Sequence, residues 1–137
     1  MSGKRRWIWL GTALTLCLLV WAVLSGGSRP FARLEEADIL SATVCLSPPD
    51  VTLELDRKEI NELAGLLREA AIHHRDDSWR EYAGQGVTVT LELSDGSIRT
   101  ATAFTPFLIV DGVGYRTEYG PCEALSNFAN ELLRETS

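Results

Sequence analysis

His73 and His74 are followed within eight residues by Asp76, Asp77 and Glu81. These are side chains that ligate metal ions or move protons, so the stretch is where a small metal-dependent or hydrolytic enzyme would keep its chemistry. The spacing does not match the His-Glu-x-x-His pattern, and adjacent histidines on a helix point about 100° apart, which is poor geometry for sharing an ion. The competing reading is a solvated polar loop, since acidic pairs adjacent in sequence, here Asp76-Asp77 and Glu35-Glu36, commonly mark an exposed face. Cys122 falls near the start of an expected helix, where the dipole would favour its thiolate. As a small apolar side chain it would equally pack in a core. No Gly-x-Ser-x-Gly elbow or phosphate-cradling loop occurs, and Gly112-x-Gly114 sits in an expected hairpin without the helix that a dinucleotide site requires. No catalytic residue, cofactor site or metal site is therefore assigned.

Residue types favoured at protein contacts gather elsewhere. Thr105 to Tyr119 contains Gly112 and Gly114, which permit close backbone approach, beside Tyr115, Arg116 and Tyr119. The first reading of this stretch is a core hairpin with ordinary turn glycines; if a partner surface exists, these residues, with Trp79 and Tyr82 of the preceding loop, are the candidates for it. Cys45 and Cys122, 77 residues apart, could form a disulfide in an oxidising compartment or remain two packed thiols.

The elements that must position these residues follow from periodicity. Ile39 to Leu46 and Val51 to Leu55 are strand-like and flank Ser47-Pro48-Pro49-Asp50, so a β-hairpin is expected. Asp56, three residues before Glu59, is a capping signal for a helix whose apolar stripe runs Ile60, Leu63, Ala64, Leu67, Ala70 and Ala71 and which should end near Ile72. His73 to Ala83 lacks a strong period and is expected to be a loop or frayed helix end. Val87 to Leu93 and Ile98 to Phe104 alternate around Ser94-Asp95-Gly96-Ser97, and Phe107 to Val110 and Val113 to Tyr119 around Asp111-Gly112, which gives a four-strand meander. Pro121 opens a closing helix with Cys122, Leu125, Phe128, Ala129, Leu132 and Leu133 on one face. The expected fold is α+β, with helices on one face of an antiparallel sheet.

The chain ahead of this domain has a different character. Trp7 to Leu24 is eighteen residues without a charge, and directly follows Lys4-Arg5-Arg6. As a helix it would reach about 27 Å, close to the thickness of a bilayer core. The basic residues place the N-terminus in the cytoplasm, and Trp7, Trp9 and Trp21 suit the two interfaces. The expected organisation is a cytoplasmic stub over 1–6, a signal-anchor over 7–24, a linker over 25–34 and an extracytoplasmic domain over 35–137. A cleaved signal peptide is the competing reading, and the domain is exported in both. Cys17 lies within the apolar run behind Leu16, which does not suit lipid attachment. All 19 acidic residues follow residue 24, so the exported part carries −9 against +3 for the stub, and that excess excludes nucleic acid as a partner.

Tyr82-Ala83-Gly84, Leu93-Ser94-Asp95-Gly96, and the run from Val110-Asp111-Gly112-Val113-Gly114-Tyr115 to Cys122-Glu123-Ala124-Leu125, behind a basic N-terminus and one span, resemble small membrane-anchored extracytoplasmic proteins of bacteria. The resemblance covers most of residues 35 to 135. It implies an envelope location and a compact α+β domain, and brings no catalytic residue. Two functions are thus expected in competition: a tethered domain that binds a protein or envelope component without catalysis, and a small envelope enzyme using His73, His74 and the nearby carboxylates.

Overall fold

The computed structural model describes residues 27–136. The stub and the span over 7–24 lie outside them. Among the described residues no helix is long and apolar enough to cross a membrane. The fold is α+β, a seven-stranded antiparallel sheet with two helices.

Strands β1 (Ile39–Ser47) and β2 (Val51–Glu54) form the first hairpin. Helix α1 (Arg57–Glu69) follows, and its start is built as the sequence indicates: Asp56 accepts from the Glu59 amide at 2.8 Å while Glu59 accepts from the Asp56 amide at 2.9 Å. Two orphan donors of the first turn are thereby satisfied. Arg57 then ties the helix to β1 by donating to the Ile39 carbonyl at 2.7 Å.

The helix ends at Glu69, and Ala70 is already extended. The expected continuation to Ile72 is therefore corrected, and so is the loop over 73–83. Ile72–Arg75 is strand β3, paired with β7, and Ser78–Glu81 is a short 3-10 turn. Because β3 is an edge strand bearing one apolar residue, it lacks the alternation that marks strands with a buried face.

Strands β4 (Gly86–Leu93), β5 (Ile98–Phe104), β6 (Phe107–Val110) and β7 (Val113–Thr117) form the meander, and helix α2 (Tyr119–Thr136) closes the chain, starting two residues before the expected Pro121. The strand order is β2-β1-β4-β5-β6-β7-β3. Helix α1 thus joins strands on opposite edges of the sheet. Thirteen helical residues cover about 20 Å and six strand spacings about 29 Å, so α1 with its flanking residues is long enough to cross the sheet.

One face of the sheet carries the core. Val44, Leu46, Val89, Leu91, Ala101, Ala103, Leu108 and Val110 meet Ile60, Leu63, Ala64 and Leu67 of α1 and Leu125, Phe128, Ala129 and Leu132 of α2. Each fully buried Leu or Ile contributes about 1.5–3 kcal/mol, which makes this interface the dominant source of stability. The expected linker over 25–34 joins the fold from Ser28 onward. Ser28 exchanges two backbone hydrogen bonds with Ile72, at 2.9 and 2.7 Å. Phe31 is buried beneath the Arg99 guanidinium, and the Leu34 carbonyl accepts from Arg68 at 2.8 Å. An apolar side chain next to Pro30 can close a core as well as leave one.

Candidate functional site

The outer face of the sheet has two unlike halves. Over β6 and β7 it is covered by the chain itself. Phe107 and Ile109 point away from the helices yet are 0% and 5% exposed, because the segment from Asp76 to Gly84 folds across them. Gly114 is where that segment comes closest. A β-carbon there would lie 2.5 Å from Trp79 Cδ1 and 2.6 Å from the Asp76 carbonyl oxygen, so only glycine lets the indole rest on the strand. Tyr82 adds its ring at 5.5 Å from that of Phe107, and the Arg116 guanidinium lies 4.7 Å over the same ring.

The two aspartates hold this cover in place. Asp77 Oδ1 accepts from the Gly114 amide at 2.9 Å, Asp76 Oδ2 from Arg116 Nε at 2.9 Å, and Asp76 Oδ1 from the Ser78 amide at 3.0 Å. Hydrogen bonds from the Ser78 side chain and amide, and then from Arg116, hold the Asp76 carboxyl down at about 2. The Gly114 amide, and after it Arg75, lowers Asp77. Both carboxylates therefore act as structural acceptors, fixed by donors on β7 and in their own turn. Trp79 Nε1 is buried beneath the segment without a hydrogen-bond partner, which reflects how closely the ring is pressed onto Gly114.

Over β1, β4 and β5 the outer face is left half-exposed. Register places Thr43, Thr90 and Thr100 in one cross-strand row and Cys45, Thr88 and Thr102 in the next. None of the six is buried, while their neighbours Val44, Leu46, Val89, Leu91, Ala101 and Ala103 are. Thr88 and Thr102 join hydroxyls at 2.9 Å, which confirms that they share a face. The six side chains are uncharged, with Glu54 beside Thr43 on β2 and Glu92 beyond Thr90 on β4, in a part of the chain after residue 24 whose net charge is −9. The alternation Thr88-x-Thr90 and Thr100-x-Thr102 carries this feature in the sequence; what it lacks is any sign that no other element comes to cover it.

The expected site residues separate on this frame. Trp79 and Arg116 are engaged within the covered half. Tyr115 lies on the inner face, packed against the core opposite Leu108. Tyr82 and Tyr119 remain open, 55% and 64% exposed. The five do not make one surface, because alternation along β7 sends Tyr115 and Arg116 to opposite faces. His73 and His74 lie on edge strand β3, where a bulge sets an extra residue against β7. His73 Nε2 is 3.8 Å from Glu118 Oε1, and among the described residues no three metal-ligating side chains gather at a point.

Cys45 and Cys122 are free thiols on opposite sides of the sheet. Cys45 belongs to the open platform. Cys122 packs in the core, with Thr105 Oγ1 at 3.3 Å and the Phe107 carbonyl oxygen at 3.5 Å, and burial raises its thiol pKa. Neither histidine hydrogen-bonds it, and of the two readings left open for Cys45 and Cys122 the structure shows the pair as thiols, with no bridge between them. A buried thiol with a raised pKa is a weak nucleophile. No family model, curated protein or solved structure matches the chain.

Proposed function

We propose that this protein is a single-pass membrane protein whose exported domain binds a protein or cell-envelope component without catalysis. The observation that supports this most is the platform of Thr43, Cys45, Thr88, Thr90, Thr100 and Thr102: six uncharged, half-buried side chains on a sheet face that the chain covers over β6 and β7 and leaves open here. A face of methyls and hydroxyls can pack against a partner and pair with its polar groups, which offsets the cost of taking the hydroxyls out of water. That suits an extended or planar partner, whereas a small substrate needs a concave pocket. The 18-residue uncharged run behind three basic residues supports the anchor and its orientation.

The test is photo-crosslinking of the full chain in its native membrane, with the reactive side chain placed at Thr90 or, as control, at Glu62 on the exposed side of α1. A discrete adduct from Thr90 and none from Glu62 is expected. Equal labelling from both positions, or no adduct from Thr90, would refute the binding face. Intact mass of the membrane fraction tests the anchor: retention of residues 1–24 is expected, and a shortened soluble chain would contradict it.

A further inference from the structure

We infer that the β3 edge of the domain rests on the phosphate headgroups of the bilayer, so that the sheet stands on edge with its open threonine face turned sideways. This inference rests on the anchored reading above, and three observations carry it.

The first is the shortness of the connection. The apolar run ends at Leu24, while the fold takes hold of the chain at Ser28 through its paired bonds with Ile72. Gly27 adds to that hold: its φ is +64°, and a β-carbon there would lie 2.3 Å from the Ile72 carbonyl oxygen and 2.7 Å from His73 Nδ1. Only glycine can enter along this path. From Leu24 to Ser28 a fully extended chain covers at most about 14 Å. The headgroup zone takes up roughly 5–7 Å of that, so β3 has little room to leave the surface.

The second is the character of this edge. Arg29, His73, His74 and Arg75 lie along or beside β3, Arg80 follows in the 3-10 turn over the Trp79 ring, and the side chains of Arg29 and Arg75 are 54% and 69% exposed. Arg29 pairs with Glu69 at 3.9 Å and Arg75 with Asp77 at 3.0 Å, and each guanidinium has further donors to offer phosphate oxygens. The third is the opposite pole. The groove between the start of α1 and the end of α2 is lined by Asp56, Glu59, Glu62, Glu131 and Glu135 against Lys58, and Arg134 pairs with Glu131 beside it, which leaves the groove acidic. At β3 the acids Glu69, Asp77 and Glu118 are met by Arg29, Arg75 and His73, so that edge is balanced while the groove is acidic. An anionic bilayer repels the groove more than β3, and this difference and the short connection turn the domain the same way.

Strand spacing makes the geometry measurable. If β3 lies at the surface, β2 stands about 29 Å above it, with the other strands in between. The experiment is paramagnetic broadening of backbone amides in the full chain, held in nanodiscs of phosphatidylcholine with phosphatidylglycerol, by a gadolinium chelate on lipid headgroups. Broadening is expected to be greatest at Ile72–Arg75 and to fall in the order β7, β6, β5, β4, β1, β2. Reversing Arg75 and Arg80 to Glu is expected to lower the ratio of docked to free domain by roughly fivefold or more per residue. Inserting ten Gly-Ser residues between Gly26 and Gly27 should weaken the gradient while leaving the domain spectrum unchanged. Even broadening across all strands, or a maximum at the α1–α2 groove, would overturn the docking and leave the anchor intact. A chain recovered from cells without residues 1–24 would overturn both.

Discussion

The two halves of the outer sheet face begin from similar β-strands and end differently. Over β6 and β7 the outward residues are Phe107, Ile109, Gly114 and Arg116. The chain covers them with its own segment from Asp76 to Gly84, fastened by two aspartates and one indole. Over β1, β4 and β5 the middle of the outward face is five threonines and a cysteine, flanked by Ser41, Glu92 and Ile98, and those six stay half-buried. The difference shows what decides whether a sheet face must be covered. Phe107 and Ile109 side by side cost too much to leave in water, though a single apolar side chain such as Ile98 is left there, whereas threonine satisfies strand preference through its branched carbon and water through its hydroxyl. The open half is therefore stable without a partner and available to one.

Truncation should separate the halves most strongly. Phe107→Ala removes the ring at the centre of the covered half, and chemical denaturation is expected to show a loss of about 3–5 kcal/mol. A loss below 1 kcal/mol would mean that the cover does not depend on this ring. Gly114→Ala comes next: the added methyl collides with Trp79 and the Asp76 carbonyl, so the segment must lift, at a cost of about 1–3 kcal/mol. Raised hydrogen exchange confined to residues 76–84 would locate the damage. An unchanged exchange pattern there would show that the segment is held by other means.

Acid should loosen the same half without touching the platform. The folded Asp76 pKa, about 2, lies below its ordinary value of 3.8, so its contribution is fully present above about 4 and is lost as the pH falls through that window. The Ser78 amide resonance is expected to hold steady down to about pH 4 and then move, and Asp76→Asn should abolish the step. A transition already complete by pH 4 would argue against these bonds. On the open half, Thr88→Val with Thr102→Val exchanges one hydroxyl pair for methyls. Stability should change by less than about 1 kcal/mol, because removing both partners leaves nothing unsatisfied.

Much of this architecture is legible in the sequence, for reasons that differ from element to element. Asp56 with Glu59 announces α1, because capping is local chemistry, and Asp111-Gly112 announces the β6–β7 turn for the same reason. The meander follows from period-two alternation. Strand β3 is not legible, since an edge strand with a single apolar residue gains its stability from pairing with a strand about forty residues away. Phe31 escapes notice behind a Pro-Gly composition that usually marks linkers. The site is the least legible part. Gly114 reads as a turn glycine, and nothing local says that Trp79 will press on it; the unbroken apolar run Phe107 to Val110 is the one hint that both faces of β6 are covered. The threonine alternation is visible, but its meaning depends on the absence of a cover, which only the fold reveals.

The claim that the open half is the binding face is tested most directly by charging it. Thr90→Arg in the full chain places one guanidinium at the centre of the platform and leaves the core side of β4 unchanged. If the account holds, the variant keeps its melting temperature and membrane fraction while the partner crosslinked from the platform no longer co-purifies. A partner recovered in undiminished yield from a folded Thr90→Arg chain would contradict it.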